Sequence, residues 1–342
     1  MHSTTRPRAT SPLGADFARA PQRRPRRGAP RRPPHPLDDA LFDGADATKR
    51  DLVDHVEAAA DRLLPELAGR PLTVVRVRPG QRPFVQKNLP ASAPAWVAVR
   101  EVWSEASHRS VRHPLVEDVR TLVWLAGQRA VELHPTVLDG EGRASRLVLD
   151  LDPPEGAGAD AVVAAARLVR AALDDAGLAS AVKTSGAKGL HVVVPVRGLD
   201  VEDAAAATRA LAARAERLDP EVATTAYLLA DRGGRVFLDP TRAGGGTLAC
   251  AWSPRVRPGT PVSWPLGWED LDAWAPGRPS LREAAALLAG RAAGADPWRA
   301  ALPDPQVVPA ALVAEGRTIP PPRAAAMHEG RRRARARRAS EE

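Results

Sequence analysis

The sequence predicts an α/β (α+β) fold in which a central mixed or antiparallel sheet is flanked by helices. Three observations predict it. Apolar strand-like runs alternate with amphipathic stretches, the segment from Arg146 to Val196 reads as one βαββ unit, and turn residues punctuate the boundaries. At 342 residues and 44% hydrophobic content, the chain can bury one substantial core with tails or a small accessory domain.

Taken in order, residues 1–36 combine Arg, Pro, Ala and Gly without a hydrophobic period, which predicts a disordered, solvated tail. Ala47 to Leu67 reads as a helix with Leu52, Val56, Ala59, Leu63 and Leu64 on one face, followed by a strand over Leu72 to Val77. A helix around Val119 to Gln128 leads into the short run VELHP. The βαββ unit then comprises strand RLVLDLD, helix DAVVAAARLVRAALDDAG, strand AVKTS, turn GAKG and strand LHVVVPV. In its helix, Val162, Ala166, Val169 and Leu173 share a face, and Gly177 is placed to end it. An Ala-rich amphipathic helix over Val201 to Arg217 and a strand over Arg235 to Leu238, ending in Asp239, complete the pattern. This reading puts the main domain at 37–300 and a basic, largely disordered tail at 301–342, with the run RRRARARR near its end.

The net charge of +8 favours a polyanionic partner, with nucleic acid ahead of an acidic membrane surface. A single cysteine, Cys250, excludes an intrachain disulfide framework and a multi-cysteine zinc site. No apolar run approaches the length of a membrane span, and Met1 to Arg32 has no apolar signal core. The expectation is a soluble, cytoplasmic, nucleoid-associated protein. Only four lysines occur, Lys49, Lys87, Lys183 and Lys188, in a chain rich in arginine. They mark special positions or the residue of a coding bias.

Asp150 and Asp152 stand one residue apart in an apolar strand, so both side chains point to the same face, roughly 6.5 to 7 Å apart along the backbone. A divalent cation between them would relieve their repulsion. Such a pair also caps the helix after a strand, and Pro153 and Pro154 suit that reading. The segment from Thr184 to His191, TSGAKGLH, gathers a hydroxyl, two glycines, an ammonium and an imidazole around one tight turn. Its glycines would let backbone N–H groups face an anion, and Lys188 would add charge, which suits a triphosphate. The spacing is not that of a Walker loop, and an ordinary hairpin is the competing reading. Asp239 offers a third carboxylate, Arg255 and Arg257 lie in the loop SPRVRPG, and His134 precedes a proline. Each of these also has an ordinary structural explanation.

Together the ordered motifs TLVWLA, ELHP, LVLDLDP, TSGAKGLHVVVP, RGGRVFLD and SPRVRPGTPVSWPLGWEDL resemble the archaeo-eukaryotic primase superfamily. The chain is most similar to the polymerase domain of bacterial ATP-dependent DNA ligase D, as a divergent stand-alone member. The resemblance implies a primase-like catalytic core and a DNA-directed nucleotidyltransferase that extends or fills DNA ends in non-homologous end joining. Asp150, Asp152 and Asp239 would bind two divalent ions, Mn2+ or Mg2+. Ser185, Lys188 and His191 would hold the triphosphate, His134 would lie near the incoming sugar, Arg255 would reach nucleotide phosphate, and Arg232 would position the primer end. Lys49, Phe84 and Lys87 would contact DNA.

The implied ligands are NTPs or dNTPs and gapped or overhanging duplex ends bearing a 5′-phosphate, with Ku and a separate ATP-dependent DNA ligase as partners and no membrane. The sequence departs from the family at Asp39, where a phosphate-binding lysine is usual, and at Val85, the second member of a Phe-Phe pair. It departs again at Pro240 and the TRAGGGT stretch, and at Trp252, where Tyr is common. No Lys-x-Asp-Gly adenylation motif occurs, so no ligase module is expected. Two other classes compete: a DNA-end-binding scaffold that recruits a ligase or Ku, and a metal-dependent phosphodiesterase.

Overall fold

The computed structural model describes residues 37–104, 108–290 and 296–321. The arginine-rich stretches at 1–36 and 331–342 lie outside the described residues. The helices are α1 (Lys49–Ala58), α2 (Ala60–Leu67), α3 (Val119–Gly127), α4 (Ala159–Asp175), α5 (Val201–Leu218), α6 (Leu281–Ala289), α7 (Pro297–Ala301) and α8 (Ala310–Thr318). The strands are β1 (Leu72–Arg78), β2 (Gln81–Gln86), β3 (Val99–Ser104), β4 (Arg109–Pro114), β5 (Ala130–Pro135), β6 (Ala144–Asp152), β7 (Ala181–Thr184), β8 (Leu190–Leu199), β9 (Ala223–Thr224), β10 (Val236–Asp239) and β11 (Pro265–Leu266).

The central sheet has six strands in the order β11-β7-β8-β6-β10-β9. It is mixed, because β9 runs parallel to β10 while the other neighbours are antiparallel. The expected βαββ unit is β6, α4, β7 and β8. A three-stranded sheet, β2-β1-β5, and the β3-β4 hairpin stand apart from it.

Strand parity divides the residues of the large sheet between two cores. Leu147, Leu149 and Leu151 of β6, Val182 of β7, Leu190, Val192 and Val194 of β8 and Val236 and Leu238 of β10 pack with α4 and α5. Val148, Ala181 and Val193 point the other way, into a core shared with α1, β1, β5 and Trp252. Because side chains alternate along a strand, Asp150, Asp152, Lys183, His191, Phe237 and Asp239 all fall on this second face. Burial of the leucine and valine rows, at roughly 1.5–3 kcal/mol per large side chain, locks this parity, since a one-residue slip would send every leucine to the wrong face.

Two expectations are corrected. The helix expected over Ala47 to Leu67 is two helices: α1 starts on a capping box between Thr48 and Asp51, and the chain breaks at Ala59 before α2. The domain does not end near residue 300. Leu312 and Val313 of α8 are buried in the α4–α5 core, and Glu315 pairs with Arg214 of α5 at 2.6 Å. The part of the expected 301–342 tail that is described, through residue 321, therefore belongs to the folded body.

Candidate active site

Register completes what parity begins. In the β10-β6 pair Asp239 stands opposite Asp150, in the β6-β8 pair Asp150 stands opposite His191, and in the β8-β7 pair His191 stands opposite Lys183. One rung across four strands thus reads Asp239, Asp150, His191, Lys183, with Asp152 two residues further along the same face. Asp239, Asp150 and His191 of the rung, with Asp152, line an open cavity of about 590 Å³, whose lining also includes His134, Ser185, Arg232, Arg242, Arg255 and Arg257, while Lys183 is buried behind it.

Arginines hold the carboxylates. Arg242 donates to Asp150 Oδ2 at 3.3 Å, and Arg232 donates to Asp152 Oδ2 at 3.1 Å. Burial works against ionisation of Asp150, but His191 and Arg242 outweigh it and hold the carboxyl well below its usual range. Arg232 also lies over the Phe237 ring, 4.0 Å from its centroid, and Tyr227 meets that ring edge-on.

On the opposite wall Glu132 organises two of the expected nucleotide residues. His134 donates from Nε2 to Glu132 Oε2 at 2.7 Å, Arg255 forms an ion pair with the same oxygen at 3.1 Å, and the Val256 N–H donates to Oε1 at 2.8 Å. Burial opposes the charge on Glu132, yet these partners bring its carboxyl down to about 2. Burial also keeps His134 below the ordinary imidazole range, so its neutral ring donates to Glu132.

The TSGAKG turn differs from expectation. Three of its N–H groups are used within the protein: Gly186 donates to Thr184 Oγ1, and Ala187 and Gly189 donate to Ser185 Oγ. The glycines serve close packing, because a Cβ on Gly189 would lie 2.0 Å from Leu151 O and one on Gly186 2.5 Å from Arg255 Cγ. Ser185 and His191 line the cavity, whereas Lys188 is exposed and does not. The buried lysine of the segment is Lys183.

Of the residues expected to meet DNA, Arg232 lies on Asp152 in the cavity, whereas Lys49, Phe84 and Lys87 are not among the residues that line it. Lys49 opens α1 beside Asp39, whose carbonyl accepts its N–H at 3.1 Å, and Arg129 reaches within 3.8 Å of the Asp39 carboxylate. Phe84 on β2 lies beneath the guanidinium groups of Arg76 and Arg78, and its neighbour Val85 is exposed. Lys87 lines a second cavity of about 470 Å³ between the β3-β4 hairpin and the β1-β5 pair. Trp252 is wholly buried against Trp264 and is a core residue.

Sequence reasoning missed Glu132, Arg242, Tyr227 and Phe237, and it singled out Lys183 as a scarce lysine without giving it a role. Glu132 was open to discovery, since it lies two residues before His134 and so shares its face. Arg242 carries no local signal.

A family model described as the LigD primase-polymerase domain matches residues 48–298. The chain belongs to that family. The multifunctional non-homologous end joining DNA repair protein LigD of Mycobacterium tuberculosis is 34% identical over 262 residues, 72% of this chain and 33% of the relative. The bifunctional non-homologous end joining protein LigD of Bacillus subtilis is 33% identical over 252 residues, 70% of this chain and 40% of the relative. The LigD primase-polymerase domain seen here therefore spans between a third and two fifths of those relatives. Its fold is that of the polymerase domain from M. tuberculosis ligase D solved in complex with DNA, with a TM-score of 0.70 at 31% identity over 78% of this chain and 97% of that one. No described helix is long and apolar enough to cross a membrane.

Proposed function

We propose that this chain is a metal-dependent nucleotidyltransferase that extends or fills DNA ends with NTPs or dNTPs in non-homologous end joining. The observation that carries the reading is the rung itself: Asp150 and Asp239 opposite one another, Asp152 on the same face, and arginines around the cavity above them.

Three carboxylates are the hard oxygen donors that Mn2+ or Mg2+ prefers, so the donor set fits two such ions held by Asp150, Asp152 and Asp239. Among the described residues no group of three or more His, Cys, Asp or Glu side chains is already drawn together. Binding would therefore require Arg242 and Arg232 to release their carboxylates, and the side chains of Arg242 and Asp152, 41% and 59% exposed, have room to turn. Bound ions would activate a primer hydroxyl and neutralise charge on the departing pyrophosphate.

The protein's own groups position the reactants. Ser185, His191 and Arg255 line the part of the cavity that suits a triphosphate, with His134 near the sugar and Arg232 at the primer end, and the exposed Lys188 would have to swing in to meet the phosphates. Arg242, once released, adds a further cation facing phosphate. No protein nucleophile is required. Lys49, Phe84 and Lys87 would meet the DNA, and the DNA complex of the structural neighbour supports a polynucleotide partner. Ku, a separate ligase and a nucleoid-associated cytoplasmic setting complete the reading.

Primer extension on a labelled gapped duplex with a 5′-phosphate, with Mn2+ and NTPs or dNTPs, tests it. The Asp150→Ala, Asp152→Ala double variant should lose incorporation by about a thousandfold or more while still binding DNA. A folded, DNA-binding wild type that extends nothing would replace this reading with the end-binding scaffold.

A further inference from the structure

We propose that Lys183 is a positioning residue for the candidate active site: it fixes the buried His191 ring in the tautomer that presents Nε2–H to Asp150 and the cavity. The kinetic consequence rests on the nucleotidyltransferase reading, whereas the tautomer rests on the contacts of Lys183 and His191 and on the greater basicity of the amine.

Lys183 is 1% exposed, on β7, directly opposite His191. Its Nζ lies 2.7 Å from His191 Nδ1, 2.7 Å from Ser263 Oγ and 2.8 Å from Ala249 O. Ser263 Oγ donates its own proton to Thr184 O at 2.7 Å, so towards Lys183 it accepts, and the Ala249 carbonyl only accepts. The contact with His191 remains to be assigned. Burial lowers both groups, Lys183 to about 7 and His191 to about 4, and leaves the amine the more basic of the two, so the shared proton belongs to Lys183. An ammonium with three protons then meets these three close acceptors, with Thr184 O further off at 3.5 Å, and Nδ1 of His191 carries no hydrogen.

The neutral ring must hold its proton on Nε2, which faces Asp150 Oδ1 at 3.4 Å. Lys183 thereby turns a histidine with two equivalent options into a donor aimed at the carboxylate row, without charging it. The register makes this arrangement rigid, since Asp150, His191 and Lys183 occupy one rung of three adjacent strands.

The position is costly for stability alone. Among the described residues no carboxylate lies within ion-pair distance of Lys183, and its strand neighbours Ala181 and Val182 are buried apolar residues. A buried ammonium held only by neutral acceptors is less favourable than an apolar side chain in the same slot. Its gain lies at the site: a fixed donor and a positive charge beneath a cavity that would receive a polyanion.

Nuclear magnetic resonance of the full chain with 15N-labelled histidine reads the tautomer from the His191 ring nitrogens, beside nucleotide KM and kcat from primer extension. Wild type should show Nε2 protonated and Nδ1 bare. Lys183→Met, which keeps the stem and removes the donor, should give a mixed or reversed tautomer and raise nucleotide KM roughly tenfold or more, as expected for loss of a charged hydrogen-bond donor. A wild-type ring protonated on Nδ1 overturns the proposal and needs no variant to fold. So does a folded Lys183→Met protein with an unchanged ring signature or an unchanged KM. A wild type that incorporates no nucleotide overturns the polymerase reading instead, and the ring signature distinguishes the two failures.

Discussion

The carboxylate face of the six-stranded sheet and the elements proposed to face DNA, at β2 and the start of α1, carry charge in opposite ways. On the sheet, each polar side chain is fixed by a strand whose alternate residues are buried leucines and valines, and each is tied to a named partner. At β2, Phe84 and Lys87 lie at the margin: Val85 between them is exposed, and the strand borders only β1. Substitution there disturbs little of the core; of the positions where the sequence departs from the family pattern, Asp39 and Val85 fall at this margin, whereas Pro240 and the TRAGGGT stretch adjoin the carboxylate face and Trp252 is in the core. A substitution embedded in a core obliges its neighbours to change with it, whereas a contact on an edge strand changes alone.

The strongest way to break this contrast is to loosen the embedded site without touching a carboxylate of the rung. Glu132→Gln keeps the shape of the side chain but removes the charge that anchors His134 and Arg255. The folded carboxyl is depressed from 4.5 to about 2, so its contribution is fully present above the ordinary value and is lost as the pH falls towards 2. The variant should unfold at lower urea, less stable by about 3 kcal/mol near neutral pH, and the gap should narrow below pH 4.5. Nucleotide incorporation should fall with it. Unchanged stability would mean that the wall of the cavity is not held by this carboxylate.

A second test addresses how the N-terminal helices are joined to the site's core. His55 of α1 is fully buried, donates from Nε2 to Trp252 O at 2.8 Å, and has no partner at Nδ1 among the described residues. Burial lowers its pKa from 6.5 to about 4, so the unfolded chain takes up a proton that the fold refuses. Stability is present above 6.5 and declines as the pH falls towards 4. His55→Gln, which retains a donor for Trp252, should lose about 2 kcal/mol less than wild type between about pH 7 and pH 5 in urea titrations. Identical slopes would show that His55 does not report the junction.

Much of the embedded region was legible because its rules are local. Period-two alternation in RLVLDLD puts Asp150 and Asp152 on one face, and the turn between AVKTS and LHVVVPV marks the hairpin that brings Lys183 opposite His191. What could not be read is long-range. Nothing local says that β10 lies beside β6 with Asp239 opposite Asp150, or that Arg242 turns back onto Asp150. Lys188 shows the converse, since its motif draws attention to an exposed residue while the hairpin's buried lysine is five positions earlier. The short strands β9 and β11 escaped because two residues make no period, and α8 because its weak amphipathic pattern lies in a segment dominated by Pro and Arg.

The smallest expected effect comes from the margin. Phe84 is half-buried beneath Arg76 and Arg78, so an aromatic face and two guanidinium groups already form one surface patch beside Lys87. Aromatic stacking on a base is worth about 1–3 kcal/mol, and loss of the second aromatic of the family pair, here Val85, places this chain at the low end. Phe84→Ala should therefore weaken binding of a gapped duplex by about fivefold in fluorescence anisotropy, while urea stability changes by less than about 1 kcal/mol. The rate of a single nucleotide addition at saturating DNA should be unaltered. If that rate falls while binding holds, the edge strand acts on the chemistry, and the separation of an embedded catalytic face from a replaceable DNA-facing margin fails.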